Sequence, residues 1–245
     1  MVSDMRLQHI TFTGIDAKTD IQDLIDIQHE YPIAEFGVLT SYHWYENGNR
    51  YLDPLIINDL RGNRLNLALH VCGSAAHDAA VGRWDLIDKL VWSNIDLFHR
   101  IQLNISNRKD NPEALERLPK VVEQEVIIQT RDALNTSIYD ATIEKFREKD
   151  KFGRTFSMLL DASGGQGIDT PLKVLPSRGK VGYAGGFSPD NVAEKLSFLL
   201  QNVRIGEFWI DMESGVRTDD WFDTTKVCRV LAVCKEVIKD LGKED

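Results

Sequence analysis

The chain has 245 residues and a net charge of -9, with 42% hydrophobic and 27% charged residues. This length suits a (β/α)8 barrel, for which about 250 residues are typical, and it buries a core without a disulfide or a metal. The acidic balance argues against a nucleic-acid partner. The 3 cysteines have no CxxC spacing, which argues against a disulfide framework or a structural zinc site and indicates a reducing compartment.

No segment of the sequence predicts export or membrane insertion. The first residues lack a basic region followed by an apolar one, and no apolar run approaches the length of a membrane span. We therefore expect a cytoplasmic protein without a membrane partner, present as a monomer or a homodimer. No linker or internal repeat divides the sequence, so we expect residues 1–245 to form one domain.

Apolar, β-branched-rich runs recur along the chain and predict eight strands. In chain order they cover residues 9–13, 35–40, 66–72, 100–105, 125–129, 155–161, 180–184 and 208–212. Segments of helical period separate them. Thr19 and Gln22 have the spacing of a capping box before the first helix, Ser188 and Pro189 suit the start of another, and the last helix covers 224–241. Alternating strands and helices predict an α/β fold with parallel strands, closed as a (β/α)8 barrel.

Polar residues occupy alternate positions within three of these strands. Because alternate side chains of a barrel strand point to opposite sides, we expect these polar groups to point into the barrel. They are His9, Thr11, Thr13, His70, Cys72, Gln102 and Asn104. Those near the C-terminal ends of strands are the better candidates for function, because active sites of such barrels lie there.

Three glycine turns directly follow the last three predicted strands, and each strand–turn unit precedes a helix. Glycine lets backbone N–H groups approach an anion closely, and phosphate sites of these barrels usually follow strands seven and eight. We therefore predict one phosphate site for a phosphorylated small molecule. Its residues are Gly164, Gly165, Gly167, Gly185, Gly186, Ser214 and Gly215. Asp161, at the end of the sixth strand, is the candidate acid.

Six segments resemble, in order, the motifs of the phosphoribosylanthranilate isomerase family. FTGID at 12–16 stands where that family has CGIT. The segment from GVL to NRY at 37–51 stands where the family has a strand and a loop that ends in PRY. IQLN at 101–104 stands where the family has VQLH. LLD with GGQG at 159–167 resembles LLD with GGTG. AGGFSPDNV at 184–192 and DMESGV at 211–216 resemble the last two strand turns. The resemblance implies a (β/α)8 barrel without a cofactor or a metal.

The resemblance also implies an activity, the Amadori rearrangement of a phosphoribosyl arylamine in tryptophan biosynthesis. Asp161 would be the general acid that opens the ribose ring. Thr13 stands at the position of the family's general base, which is a cysteine, and its hydroxyl does not accept a proton at neutral pH as a thiolate does. The chain thus resembles a divergent member that lacks the catalytic cysteine.

Several other residues are candidates for the missing base. Cys72 ends a strand and shares a face of that strand with His70. An imidazole beside a thiol lowers the pKa of the thiol. A buried and inert cysteine is the alternative interpretation. Asp16, Glu213 and Asp211 are further candidates. Asp211 matches an acid that is common in the family, for which a structural role is the simpler expectation.

Two residues are predicted to bind the rest of the substrate. Arg50 stands where the family has an arginine that engages the anthranilate carboxylate, and a guanidinium group suits a carboxylate. A solvated loop arginine is the alternative. Gln102 lies in the strand that resembles VQLH.

Other function classes fit the sequence less well. No lysine stands near the C-terminal end of a strand, which argues against a Schiff-base aldolase, and no HxH or HExxH spacing supports a metal-dependent hydrolase. Two hypotheses stay open. One is an aldose–ketose isomerase, and the other is a paralogue that binds a phosphorylated metabolite or catalyses a different step on a sugar phosphate.

Overall fold

The structure is a computed structural model that describes residues 6–43, 45, 48–104, 124–130, 156–163, 166–174, 180–204 and 206–241. Eight parallel strands follow one another in chain order and close into a barrel through the pairing of the first with the last. They are β1 (Leu7–Thr13), β2 (Ala34–Thr40), β3 (Leu67–Cys72), β4 (Arg100–Asn104), β5 (Glu125–Thr130), β6 (Phe156–Asp161), β7 (Val181–Ala184) and β8 (Phe208–Met212). The predicted (β/α)8 barrel is confirmed.

The strand predictions agree closely with these bounds. β8 matches its prediction at both ends, and β1 begins at Leu7, two residues before the predicted start. Residues 105 and 155, which were predicted to belong to β4 and β6, lie outside the described residues. The agreement follows from burial of both faces of a parallel strand, which leaves a continuous apolar run in the sequence.

Helices surround the described part of the barrel. They are α1 (Ile21–Glu30), α2 (Pro54–Asp59), α3 (Ser74–Ala80), α4 (Trp84–Leu90), α5 (Val192–Asn202) and α6 (Thr224–Leu241). A short hairpin of β9 (Arg217–Thr218) and β10 (Trp221–Phe222) separates β8 from α6. Within the described residues, no helix is long and apolar enough to cross a membrane.

The starts of two helices differ from the sequence predictions. Asp20, rather than Thr19, caps α1, and its carboxylate accepts the backbone N–H of Gln22 at 2.9 Å. The helix predicted to begin at Pro189 begins at Val192 instead. The reason is a turn at Ser188, whose backbone N–H donates to the Asn191 side chain at 2.8 Å.

The helices cover the barrel with their apolar faces. In α1, the buried residues are Leu24 and Ile27. In α6, the first part of the predicted apolar face is buried. Near the C-terminal end of α6, Ile238 is exposed although the periodicity places it on the same face. The main core thus lies between the barrel and its helices.

The inside of the barrel has a charged layer and an apolar layer. The charged layer lies near the N-terminal ends of the strands, and its members are Glu35, Arg100, Glu125 and Lys180, which are joined by ion pairs. Ile127, Leu159 and Trp209 form the apolar layer above it. The two layers are in contact, with 4.2 Å between the guanidinium carbon of Arg100 and the centre of the Trp209 ring. The interior is therefore closed below the C-terminal rim.

Candidate active site

Three predicted site residues meet at the C-terminal rim of the barrel. Thr13 ends β1, Asp161 ends β6, and Asp211 lies one residue before the end of β8. All three are buried, with exposed fractions of 2%, 4% and 6%. Because β1 pairs with β8, Thr13 and Asp211 come into contact although 198 positions separate them in the sequence.

The carboxyl group of Asp161 is held from two sides. Gln129 on the neighbouring strand β5 donates from Nε2 to Oδ2 at 2.7 Å. Ser163 donates to Oδ1 from its backbone N–H at 3.0 Å and from its hydroxyl at 2.8 Å. A serine two residues after an aspartate forms such a turn locally. The orientation of this carboxyl group is therefore fixed at the rim.

Asp211 is the buried acid with an altered pKa at this rim. The Thr13 hydroxyl donates to its Oδ1 at 2.8 Å. Burial raises the pKa of Asp211 to about 7, and Glu213, Glu35 and Asp161 add to the shift, whereas the Thr13 hydrogen bond opposes it. Asp211 therefore changes its protonation state near neutral pH.

Cys72 is enclosed by polar neighbours. Its sulfur accepts from Nδ2 of Asn104 at 3.4 Å, and Tyr51 is a further hydrogen-bond partner. Burial raises the pKa of the Cys72 thiol, although both hydrogen bonds oppose the shift. A protonated thiol is a poor base, so the structure favours the inert interpretation of this residue.

Gln102 lies deeper in the barrel than the rim residues. Its Nε2 lies 3.2 Å from Nδ1 of His70 and donates to Oδ1 of Asn104 at 2.9 Å. Its Oε1 is buried and has no hydrogen-bond partner among the described residues. Burial lowers the pKa of His70 to about 4, so its imidazole is neutral at pH 7. The predicted role of Gln102 in substrate binding stays a prediction.

Arg50 is paired with acidic residues from the β8 side of the rim. Its Nη1 donates to Glu213 at 2.7 Å and its Nε to Asp220 at 3.0 Å. The Ser214 hydroxyl lies 3.5 Å from Nη1. The guanidinium group therefore reaches the turn after β8, and Glu213 is engaged by an arginine.

Asp16 belongs to a buried clamp between the loop after β1 and the β9–β10 hairpin. Its Oδ2 accepts from Arg217 at 2.9 Å and from the backbone N–H of Phe222 at 2.6 Å. Arg217 also donates to the carbonyl oxygen of Gly14 at 2.6 Å. These contacts favour a structural role of Asp16 over the alternative of a base.

The turns after β6, β7 and β8 contact one another. A Cβ atom on Gly167 would overlap the Ser214 side chain, and one on Gly215 would overlap the carbonyl oxygen of Phe187. Gly167 also has a φ of +64°, which other residues rarely adopt. The glycines thus bring three turns to one part of the rim. Gly164 and Gly165 lie outside the described residues.

Lys195 joins the turn after β7 to the segment that precedes that strand. Its Nζ donates to the carbonyl oxygens of Gly185 at 2.6 Å and Thr170 at 3.0 Å. It also forms an ion pair of 2.7 Å with Asp169. A Cβ atom on Gly186 would overlap the backbone of Asp169, so this segment packs directly on the turn.

Sequence reasoning missed several residues that complete the arrangement. Gln129 and Ser163 hold Asp161, and Glu35 contributes to the field at Asp211. The signal for Gln129 was its position on the same face of β5 as the inward-pointing Ile127. The spacing of Ser163 after Asp161 was the second signal. Among the residues that the structure describes, no group of three or more metal-ligating side chains is present.

The fold and the rim define the class of protein. The chain is a (β/α)8 barrel, which is a closed barrel of eight parallel strands, with buried acids and converging glycine turns at its C-terminal end. No protein-family model matches the chain, and no curated protein matches it in sequence.

Two solved structures share this fold over nearly the whole chain. N-(5'-phosphoribosyl)anthranilate isomerase from Pyrococcus furiosus has a TM-score of 0.55 and 15% identity, over 94% of this chain and 99% of that chain. Phosphoribosyl anthranilate isomerase from Thermococcus kodakaraensis has a TM-score of 0.54 and 13% identity, over 93% of this chain and 98% of that chain. At these identities the likeness shows the fold.

Proposed function

We propose that this protein catalyses the aldose–ketose isomerisation of a phosphoribosyl arylamine. The observation that carries the proposal is the contact of three glycine turns beside two buried acids at the same rim. A substrate anchored there by its phosphate presents its ribose ring to the acids. The structures that share the fold are named as isomerases of such a compound.

The phosphate would bind at the turns of Gly167, Gly186 and Gly215. Closely packed glycine turns expose backbone N–H groups that donate to phosphate oxygens, and positions after strands seven and eight are usual for phosphate in these barrels. This local positive potential is independent of the net charge of -9. Lys195, which holds the turn after β7, adds a nearby cation.

Asp161 would be the general acid. Protonation of the ribose ring oxygen breaks the bond between that oxygen and C1, and the amine nitrogen then shares its lone pair with C1 as an iminium ion. Gln129 and Ser163 fix the carboxyl group in one orientation, as a proton donor to a bound ring requires. The three contacts come from β5 and from the turn after β6.

Arg50 would bind the carboxylate of the substrate. It reaches the Ser214 turn, so it lies beside the proposed phosphate site. Because Glu213 and Asp220 are paired with it, a substrate carboxylate would take the place of Glu213 rather than meet a solvated arginine. This exchange selects for a carboxylate that binds bidentately.

A second candidate function is binding of a phosphorylated metabolite without isomerisation. The hydrogen bond of Thr13 favours this second function, because the hydroxyl at the position of the family's base is a hydrogen-bond donor to Asp211. A sensor of this kind would keep the phosphate turns and not need a base.

Consumption of N-(5-phosphoribosyl)anthranilate, followed by fluorescence, tests the proposed activity. We expect turnover by the wild type and a loss of at least about 10²-fold in kcat for Asp161→Asn, because a general acid contributes this much. Affinity for inorganic phosphate should be unchanged in that variant. An equal loss of both quantities would show that Asp161 is structural.

A Thr13→Cys variant separates the two candidate functions. A silent wild type with an active Thr13→Cys variant would mean that the barrel binds the substrate and lacks only the base. Silence of both proteins, with phosphate binding intact, would support the binding protein and end the isomerase proposal.

A further inference from the structure

The isomerisation needs a base that removes the proton from C2 of the ribose, and Thr13 does not supply one. We propose that Asp211 is this general base and that Thr13 positions its carboxylate. The assignment rests on the proposed function. It gives both residues a role that follows from their contact in the barrel.

The geometry puts Asp211 beside the expected position of the base. β8 pairs with β1, and the Thr13 hydroxyl donates to Oδ1 of Asp211 at 2.8 Å. Oδ2 of Asp211 has no hydrogen-bond partner among the described residues, so one carboxylate oxygen is available for a proton from the substrate. Gly37 makes room for this contact, because a Cβ atom there would lie 2.6 Å from the Thr13 hydroxyl oxygen.

The charged groups around Asp211 are acidic. Glu213 lies two residues along the chain, Glu35 faces it from β2, and Asp161 from β6. Arg50 pairs with Glu213 and Arg100 with Glu35, so each nearby cation is engaged by another carboxylate.

These surroundings give Asp211 the basicity that the step requires. Burial and the three acids raise its pKa to about 7, against an ordinary value of 3.8. A base whose pKa lies near the working pH is ionised in part of the molecules and accepts a proton more readily than an ordinary carboxylate. On the side of β8 opposite β1, the neighbouring strand β7 contributes Gly182 and Ala184, which carry no charge.

The proton balance closes with two carboxyl groups. Asp161 gives a proton to the ring oxygen as the C1–O bond breaks and the iminium ion forms. Asp211 takes the C2 proton, and the C2–H electron pair forms the C1–C2 double bond while the iminium electrons return to nitrogen. The enol then gives its hydroxyl proton to the Asp161 carboxylate, and Asp211 gives its proton to C1, which yields the ketone and restores the starting protonation of both acids.

The other candidate bases are less suited by their contacts. Cys72 has a raised pKa and hydrogen-bonds to Asn104, Tyr51 and the carbonyl oxygen of His70. Asp16 is bound to Arg217, and Glu213 to Arg50. The carboxylates of Asp16 and Glu213 are thus each engaged by an arginine. Asp211 has neither a cationic partner nor a second donor among the described residues.

Three variants test the assignment with N-(5-phosphoribosyl)anthranilate as the probe. Asp211→Asn should lower kcat by about 10²–10⁴-fold with little change in KM, since a general base contributes this much to the rate. Asp85→Asn, at an exposed residue of α4, is the matched control and should keep the wild-type rate. Thermal unfolding of each variant checks that it is folded.

The Thr13→Val variant keeps Asp211 and the shape of residue 13 but removes the donor. The wild-type profile of kcat/KM should rise with pH through an apparent pKa near 7. In Thr13→Val this rise should move to higher pH, because the lost hydrogen bond lowered the pKa of Asp211. A residue that is merely structural would not move this profile.

The outcomes separate the two proposals. An active wild type with an Asp211→Asn rate within threefold overturns the base assignment and leaves the isomerase activity standing. An unmoved profile in an active Thr13→Val variant also overturns it, even where Asp211→Asn does not fold. A silent wild type rejects the isomerase activity itself and the assignment with it.

Discussion

Arg100 and Glu35 form an ion pair inside the barrel, away from the rim. Nη1 of Arg100 lies 2.8 Å from the Glu35 carboxylate, and both side chains are almost fully buried. Burial alone would raise the pKa of Glu35, but Arg100, His9 and the Thr11 hydroxyl together bring it below its ordinary value. The pair is therefore ionised at neutral pH, and each charge depends on its partner.

We expect Arg100→Met to lower the free energy of unfolding by about 3–5 kcal/mol at pH 7, because it leaves the Glu35 carboxylate buried without a cation. The loss should shrink as the pH falls, because without Arg100 burial raises the pKa of Glu35 and this residue in the variant then takes up a proton. Urea denaturation at several pH values measures both effects. The double variant Arg100→Met, Glu35→Gln should recover part of the loss at pH 7.

The raised pKa of Asp211 has a consequence for stability as well as for catalysis. The folded state keeps this carboxyl protonated up to about pH 7, whereas the unfolded chain releases the proton near 3.8. Between these values the folded state binds more protons, so the contribution to stability is present at low pH and is lost as the pH rises.

Asp211→Asn should therefore be about as stable as the wild type at pH 4 and more stable at pH 8. Three pKa units correspond to roughly 4 kcal/mol, which is the upper limit of the expected gain. Urea denaturation at both pH values measures it, with Asp85→Asn as a control that should show no such dependence. A difference from the wild type that is constant between pH 4 and 8 would contradict the assigned pKa.

At the scale of elements, the glycine turns depend on contacts between units rather than within them. Gly215 lies in the turn after β8, and a side chain there would overlap the carbonyl oxygen of Phe187 in the turn after β7. The two turns therefore cannot keep their spacing once residue 215 carries a Cβ atom.

We expect Gly215→Ala to weaken the binding of inorganic phosphate by about tenfold or more, or roughly 1.4 kcal/mol, because it separates two of the three turns. Isothermal titration calorimetry measures the affinity. Gly62→Asn is the matched control, since Gly62 has open space around it and asparagine tolerates its φ of +88°. Equal affinities of Gly215→Ala and the wild type would show that phosphate binds elsewhere.

The strands and glycine turns could be predicted from the sequence, whereas the partners of the site residues could not. A strand is encoded by its own apolar run, and a turn by its own glycines. Arg50 pairs with Glu213, 163 positions away, and such a partner is set by barrel closure and strand register rather than by neighbouring residues. The same holds for Thr13 and Asp211, whose contact is not visible in the sequence.

For the whole molecule, closure of the barrel is what assembles the rim. β1 and β8 are the first and last strands of the closed sheet, and they meet only when all the strands between them are in place. The β9–β10 hairpin adds a second connection, since Arg217 binds the carbonyl oxygen of Gly14 after β1. The two ends of the barrel are thus joined both by backbone pairing and by a buried side chain.

The contact between Thr13 and Asp211 has a consequence for the timing of function in the cell. A ribosome adds Thr13 before Asp211, which follows 198 positions later in the chain. The nascent chain therefore carries an incomplete rim until β8 has left the exit tunnel and paired with β1. Any unfinished or prematurely released chain that ends before β8 therefore lacks the contact between Thr13 and Asp211.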